Sequence, residues 1–202
     1  MTDHICSAIE AAVESAINKV VQDFQHDANR VWNERDIHWL LFHYLQLEKS
    51  CPQEYPAQLI RAEFPTLKIF QGERQGRGHY DLVVLDSKSL LNPAVSDSKT
   101  QLPLQSFIES VKIKAAVEIK LWSTRCKTED MARRIEWGVK KLTEKPHNVE
   151  FAYFINLVQL PYKDPYIKFY HDLFEYLQNI KHENLRILFA PADHRFEMDE
   201  EN

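Results

Sequence analysis

The sequence predicts an α/β fold in which a central mixed β-sheet of about five strands is flanked by helices. The first indication is the order of hydrophobic patterns along the chain, which is α-α-β-β-β-α-β-α-β. The second is the continuous apolar run at residues 151–158, typical of a strand buried on both faces. A hydrophobic content of 44% supplies enough core for such a fold and excludes a disordered or fibrous chain.

Four helices are predicted from apolar residues that recur every three or four positions. The first helix extends to about residue 30 and carries the stripe Ile9, Val13, Ile17, Val20 and Phe24. The second covers residues 34–48, with Asn33 as its N-cap and the acids Glu34 and Asp36 in its first turn. Two later helices are expected at about residues 130–142 and 165–180.

The strands are predicted at residues 67–70, 80–85, 113–122, 151–158 and 185–189. Pro65 is expected to break the chain before the first of them. Gly72, Gly76 and Gly78 indicate a turn between the first two strands, which would then form a hairpin or meander. Residues 87–110 are polar and lack periodicity, so we expect an excursion from the sheet.

The 202 residues are expected to form a single domain. It comprises an N-terminal helical extension (1–32), a core (33–190) and an acidic tail (191–202). Three cysteines without C-x-x-C spacing indicate a reducing cytoplasm and argue against a zinc site. No apolar run approaches a membrane span and no signal peptide is evident, so we expect a soluble protein without a membrane partner.

Charge is distributed unevenly along the chain. The net charge of −5 argues against coating nucleic acid by bulk attraction. Residues 111–145, however, hold ten Lys or Arg against five Asp or Glu, a local net charge of +5. These bases would be a solvated helix face in most proteins, but they also follow the third strand, where phosphate contacts are expected. The candidates are Arg125, Lys127, Arg133, Arg134, Lys140 and Lys141.

The third predicted strand carries two charged residues among apolar ones. The period of two places Glu118 and Lys120 side by side on one face, and Asp81 begins the preceding strand. Two carboxylates and a lysine on neighbouring strands suit a hard divalent cation, Mg²⁺ with Mn²⁺ as a substitute. Such a site can hydrolyse phosphodiesters, with Asp81 and Glu118 holding the metal and Lys120 orienting water or stabilising charge.

A structural explanation of the same residues is also open. Triplets such as E-x-K arise by chance, and Asp86-Ser87-Lys88 and Asp97-Ser98-Lys99 are expected in solvated loops. Glu118 and Lys120 could likewise form an ion pair on the solvent face of an edge strand. Nucleotide-binding folds are disfavoured, because neither G-x-G-x-x-G nor G-x-x-x-x-G-K-[ST] occurs.

At these residues the chain resembles the PD-(D/E)XK nuclease superfamily, which has the restriction-endonuclease-like fold. Residues 78–85 (GHYDLVVL) match its first half-motif and residues 117–121 (VEIKL) its second, and the α-β-β-β-α-β order agrees. Tyr80 replaces the usual proline before the aspartate. In several branches a helical glutamate joins the metal site, and the resemblance implies this role for Glu34. An acid there is equally explained by the helix dipole.

We therefore expect a metal-dependent nuclease that cleaves DNA. The alternatives are a catalytically silent module of the same fold that binds nucleic acid or a protein partner, and an adaptor acting through the residue 9–24 stripe. One active site per chain means that simultaneous cleavage of two strands would need a homodimer. His38 and His79 are expected in turn or surface positions, and Trp122 and Trp137 in the core.

Overall fold

A computed structural model describes residues 2–31, 33–48, 59–71, 75–90, 104–124, 130–143 and 149–192. The helices are α1 (Thr2–His26), α2 (Glu34–Leu47), α3 (Ser87–Leu90), α4 (Leu104–Ser110), α5 (Met131–Thr143) and α6 (Ile167–Gln178), with a 3-10 turn at Ala28–Arg30. The strands are β1 (Ile60–Gln71), β2 (Gln75–Leu85), β3 (Ile113–Trp122), β4 (Val149–Val158) and β5 (Leu185–Pro191).

Within these residues the strands form one mixed sheet in the order β1-β2-β3-β4-β5. The first three strands pair antiparallel, and β3, β4 and β5 pair parallel. Helices α5 and α6 connect the parallel strands, as parallel pairing requires. The predicted α/β class with a five-stranded mixed sheet is thereby confirmed, and β3 is its central strand.

Helices cover both faces of the sheet. On one face, Ile17 of α1 and Leu41 of α2 pack in a core that includes Val117 of β3. The opposite core joins Ile135 of α5 and Leu173 of α6. The stripe predicted for α1 is buried, each of its five residues being at most 5% exposed. The adaptor interpretation is therefore wrong, because this stripe forms part of the core.

The first strand and the excursion differ from the sequence prediction. Strand β1 begins at Ile60 and continues through Pro65, whereas a break was expected there. Among the described strands β1 pairs only with β2, so it is an edge strand there. Proline has no N–H group to donate, and an edge strand tolerates this. The excursion contains α3 and α4, while residues 91–103 lie outside the described residues. Gly72 and the tail residues 193–202 also lie outside them.

Strands β1 and β2 both change faces near Glu63 and Asp81. Residues of equal parity normally share a face, yet Ile60 packs in the α1–α2 core and Phe64 in the α5–α6 core. Leu82 and Tyr80 are divided between the two cores in the same way. Glu63 has a positive φ of 51°, rare for a residue with a side chain. The side chains of both strands therefore exchange faces of the sheet at the same level, next to Asp81.

Within the described residues, α1 and the other helices each lack the combination of length and apolar character needed to cross a membrane.

Helix α5 packs tightly against the sheet at Gly138. A Cβ atom there would overlap the ring of Phe154 and lie 3.2 Å from Cγ of Glu118. The absence of a side chain thus allows α5 to lie directly over β3 and β4.

We predict that Gly138→Ala destabilises the protein in urea unfolding. Overpacking costs about 1–3 kcal/mol, more than the roughly 1 kcal/mol that alanine gains over glycine in a helix. Ala132→Gly, on the exposed side of α5, is the control that isolates helix propensity. A stabilised Gly138→Ala variant would contradict the close approach of α5.

Candidate active site

The site lies where β2 and β3 stop pairing. Their described register runs from Leu85↔Ile113 to Leu82↔Val117. Beyond that point the carboxylate of Asp81 accepts the backbone N–H of Ile119 at 2.6 Å. The Asp81 side chain therefore takes the place of a backbone partner, and its position is fixed by the central strand.

Glu34 reaches the same edge of β3 from the start of α2. Asn33 is the N-cap of α2, as the sequence predicts, and it forms a capping box with Asp36. Glu34 takes no part in this cap. Its Oε1 atom accepts the N–H of Leu121 at 3.2 Å. The N–H groups of Ile119 and Leu121 are two residues apart, about 7 Å along the strand. Asp81 and Glu34 thus lie side by side on one strand edge.

Glu118 and Lys120 form a buried pair in the middle of the sheet. The Lys120 ammonium lies 2.7 Å from Oε1 of Glu118 and 2.9 Å from the carbonyl oxygen of Ile119. The Glu118 side chain is 1% exposed and that of Lys120 11%. The interpretation of this pair as the solvent face of an edge strand is wrong, because β3 is central and α5 covers it.

Two of the predicted phosphate-binding residues face the carboxylates. Lys141 of α5 contacts both carboxylate oxygens of Glu118 and donates to the carbonyl oxygen of His79 at 3.0 Å. Arg134 donates to Glu34 at 2.8 Å, and its guanidinium lies 5.0 Å from the ring centre of Trp122. The sequence identified Lys141 and Arg134 as candidates, but it did not predict that their side chains point into the site.

The other candidate bases have different positions. Arg133 pairs with Asp130, and Lys140 pairs with Glu136, both at exposed places on α5. Arg125 and Lys127 lie outside the described residues. The solvated-face interpretation thus fits Arg133 and Lys140, and phosphate binding by any of the six stays a prediction.

His38 is a site residue that sequence analysis missed. Its side chain is 11% exposed, and Nε2 lies 3.6 Å from Oδ2 of Asp81, so a turn or surface position is wrong. The available signal was its spacing of four from Glu34, which places both on one side of α2. His79 is exposed, as predicted.

The two tryptophans expected in the core have different environments. Trp122 is fully buried and donates from Nε1 to Asn156 at 3.2 Å, which confirms the core assignment. Trp137 is 39% exposed, so its assignment is wrong. It shares the outer side of α5 with Arg133 and Lys140, four residues before it and three after it.

The buried charges shift one another's pKa values. Burial alone raises the pKa of the Asp81 carboxyl, but the His38 ring and nearby ammonium groups outweigh burial, and the pKa ends below its usual value. For Glu118, burial dominates over the adjacent ammonium groups and raises the pKa. Burial favours neutral Lys120, but the surrounding carboxylates raise its pKa above the usual value. Asp81 and Lys120 are therefore both charged at neutral pH.

The site contains carboxylate oxygens, which are the type of ligand that a hard cation such as Mg²⁺ prefers. Within the described residues, the site brings together three acids and three bases: Glu34, Asp81, Glu118, Lys120, Arg134 and Lys141. No group of three or more His, Cys, Asp or Glu there is arranged to enclose a metal ion. Mg²⁺ commonly uses only one or two carboxylates and completes its shell with water and phosphate oxygens. Asp81 and Glu118 are the two carboxylates that the sequence analysis assigns to such an ion.

Comparisons of the chain with protein-family models, with curated proteins and with solved structures each gave no match. The arguments for function therefore come from the geometry of the site.

We predict stronger coupling between Glu34 and Arg134 than between Asp130 and Arg133. Both arginines are on α5, but Glu34 also accepts a backbone N–H of β3, and its pair is less exposed. Double-mutant cycles with alanine should give about 1 kcal/mol for the first pair and less than about 0.5 kcal/mol for the exposed pair. Equal coupling would contradict the inward position of Arg134.

In metal-free protein we expect Asp81 and Glu118 to affect stability oppositely with pH. The folded pKa of Asp81 is lowered, so its contribution is present above about pH 4 and is lost as pH falls through the folded value. The folded pKa of Glu118 is raised, so its contribution is present at low pH and is lost as pH rises through the folded value.

Urea unfolding across the acidic range tests this prediction. On acidification the stability of the wild type should fall relative to Asp81→Asn and rise relative to Glu118→Gln. Each variant is the control for the other, and parallel trends would contradict the assigned directions.

Proposed function

We propose that this protein is a metal-dependent nuclease that hydrolyses DNA phosphodiester bonds. The observation that carries the proposal is the charged pair Glu118 and Lys120 inside the central strand, with Asp81 fixed on the same backbone. Burying such ions costs several kcal/mol each, and apolar residues would stabilise the sheet more cheaply. A catalytic role explains why charges occupy this position.

Each site residue has a distinct role in this proposal. Asp81 and Glu118 would hold Mg²⁺, with Mn²⁺ as a substitute, and Glu34 is the candidate third acid. The bound metal would polarise a phosphoryl oxygen and lower the pKa of bound water. Lys120, kept protonated by the carboxylates around it, orients the attacking water or stabilises developing negative charge.

Lys141 connects metal binding with phosphate binding. Its ammonium contacts both carboxylate oxygens of Glu118. A phosphate anion at the site would offer this ammonium another partner and leave the Glu118 oxygens available as ligands. Arg133 and Lys140, on the outer side of α5, would meet phosphates further along the DNA.

The same contact supports the alternative function. If Lys141 permanently occupies Glu118, the chain is a catalytically silent module that binds nucleic acid or a protein partner. The two functions differ in cleavage, since the silent module would bind without cutting.

We predict that the wild type cleaves plasmid or branched DNA in Mg²⁺ or Mn²⁺ and that Lys120→Ala cleaves at least about a hundredfold more slowly. Lys114→Ala is the matched control, because Lys114 lies on the same strand but pairs with Glu150 at 2.6 Å away from the site. Gel assays of initial rates measure the effect, and circular dichroism checks folding.

Equal rates for Lys120→Ala and wild type would overturn the assignment of Lys120. If the wild type binds DNA but does not cut in either metal, the silent module is correct. If folding fails in Lys120→Ala, Asp81→Asn replaces it, since the amide retains the size of the carboxylate.

A further inference from the structure

One side of α2 presents an aromatic surface next to the candidate site. Arg35, His38, Trp39 and Phe42 lie at spacings of three and four and share this side. Trp39 is 66% exposed, and its ring meets the edge of Phe42 at a centroid distance of 6.1 Å and an angle of 83°. The Trp39 ring is therefore held by a neighbour and also open to a ligand.

A cavity of about 470 Å³ lies at this surface, within the usual range of small-ligand sites. It is lined by Arg35, His38, Trp39, Phe42, Ala62 and Glu63. Glu63 projects from β1 at the residue with positive φ, and its side chain is 63% exposed. Strained backbone of this kind is retained mainly at functional positions.

His38 connects the cavity with the catalytic carboxylates. Its Nδ1 atom lies 3.8 Å from Oε1 of Glu63, and its Nε2 atom lies 3.6 Å from Oδ2 of Asp81. A ligand in the cavity is thus separated from Asp81 by one imidazole ring.

We propose that this cavity receives an unpaired nucleobase of the DNA strand whose phosphate would be held by the metal ion at Asp81 and Glu118. This inference rests on the proposed function and adds a preference for unpaired substrate. The base stacks on Trp39, and the carboxylate of Glu63 accepts a hydrogen bond from a base amino group. Arg35 supplies positive charge for the adjoining phosphate.

Acidic residues on the other side of Trp39 limit the path that the bound DNA strand can take. Trp39 also borders a groove lined by Asp23, Asp27 and Asp36 together with His26 and His43. Three acids there repel a phosphate backbone, which is then confined to the side of Arg35 and the catalytic residues. Trp39 therefore marks the end of the path for the bound strand.

Fluorescence anisotropy in EDTA measures binding without cleavage. The wild type is expected to bind a fluorescent single-stranded oligonucleotide, and Trp39→Ala should weaken this binding about 5- to 100-fold. Trp39→Phe should restore most of the loss, because a ring is retained. Tyr176→Ala, at an exposed aromatic residue on α6, is the matched control and should bind like the wild type. Blunt duplex DNA should bind wild type and Trp39→Ala equally.

A second arm places an abasic site at each position of the oligonucleotide. One position should weaken wild-type binding as much as Trp39→Ala does, with no further loss when both changes are combined. Unchanged single-strand affinity in Trp39→Ala would overturn the base site and leave the nuclease proposal standing. A wild type that binds no DNA, either in EDTA or with Mg²⁺ or Mn²⁺ added, would overturn both. A dimer that Trp39→Ala converts to monomer in sedimentation would instead make this face an interface between two copies.

Discussion

The hydrogen bond from the Ile119 N–H to the Asp81 carboxylate is the contact on which the site depends. This bond replaces backbone pairing where β2 and β3 separate. The side chains of β2 change faces at this point, and the Asp81 side chain thereby reaches the backbone of β3. The neighbouring strand edge is then open at Leu121, where Glu34 of α2 bonds. One interruption of the sheet thus brings carboxylates from a helix and an adjacent strand to a single edge of β3.

The charges of the site are arranged to limit the cost of burial. Glu118 is almost inaccessible, and burial raises the pKa of its carboxyl even with two ammonium groups beside it. Lys120 and Lys141 supply two ammonium groups to it, and Gly138 lets α5 carry Lys141 close enough to do so. Removing one partner of such a set leaves an uncompensated charge, which is more damaging than losing the whole set. Loss of a single charged residue should therefore destabilise the fold. The same network holds acids and bases in fixed positions next to one another.

Much of the fold could be predicted from the sequence because its signals are local. The bounds of β3 match the prediction, since apolar residues flank its charged pair, and the Asn33 capping box is visible in four consecutive residues. Strand β1 could not be predicted through Pro65, because edge position is a property of the sheet. The proximity of His38 and Lys141 to the acids likewise depends on how α2 and α5 pack, and periodicity does not encode this.

We propose that Asp81 and Glu118 bind one divalent cation, and calorimetric titration with Mn²⁺ tests this binding most directly. We expect one Mn²⁺ site in the wild type, its loss in Asp81→Asn, and its retention in Glu150→Gln, because Glu150 pairs with Lys114 away from the site. Replacing the competing ammonium in Lys141→Met should tighten Mn²⁺ binding. No Mn²⁺ binding by the wild type and Lys141→Met, or binding unaffected by Asp81→Asn, would contradict the account.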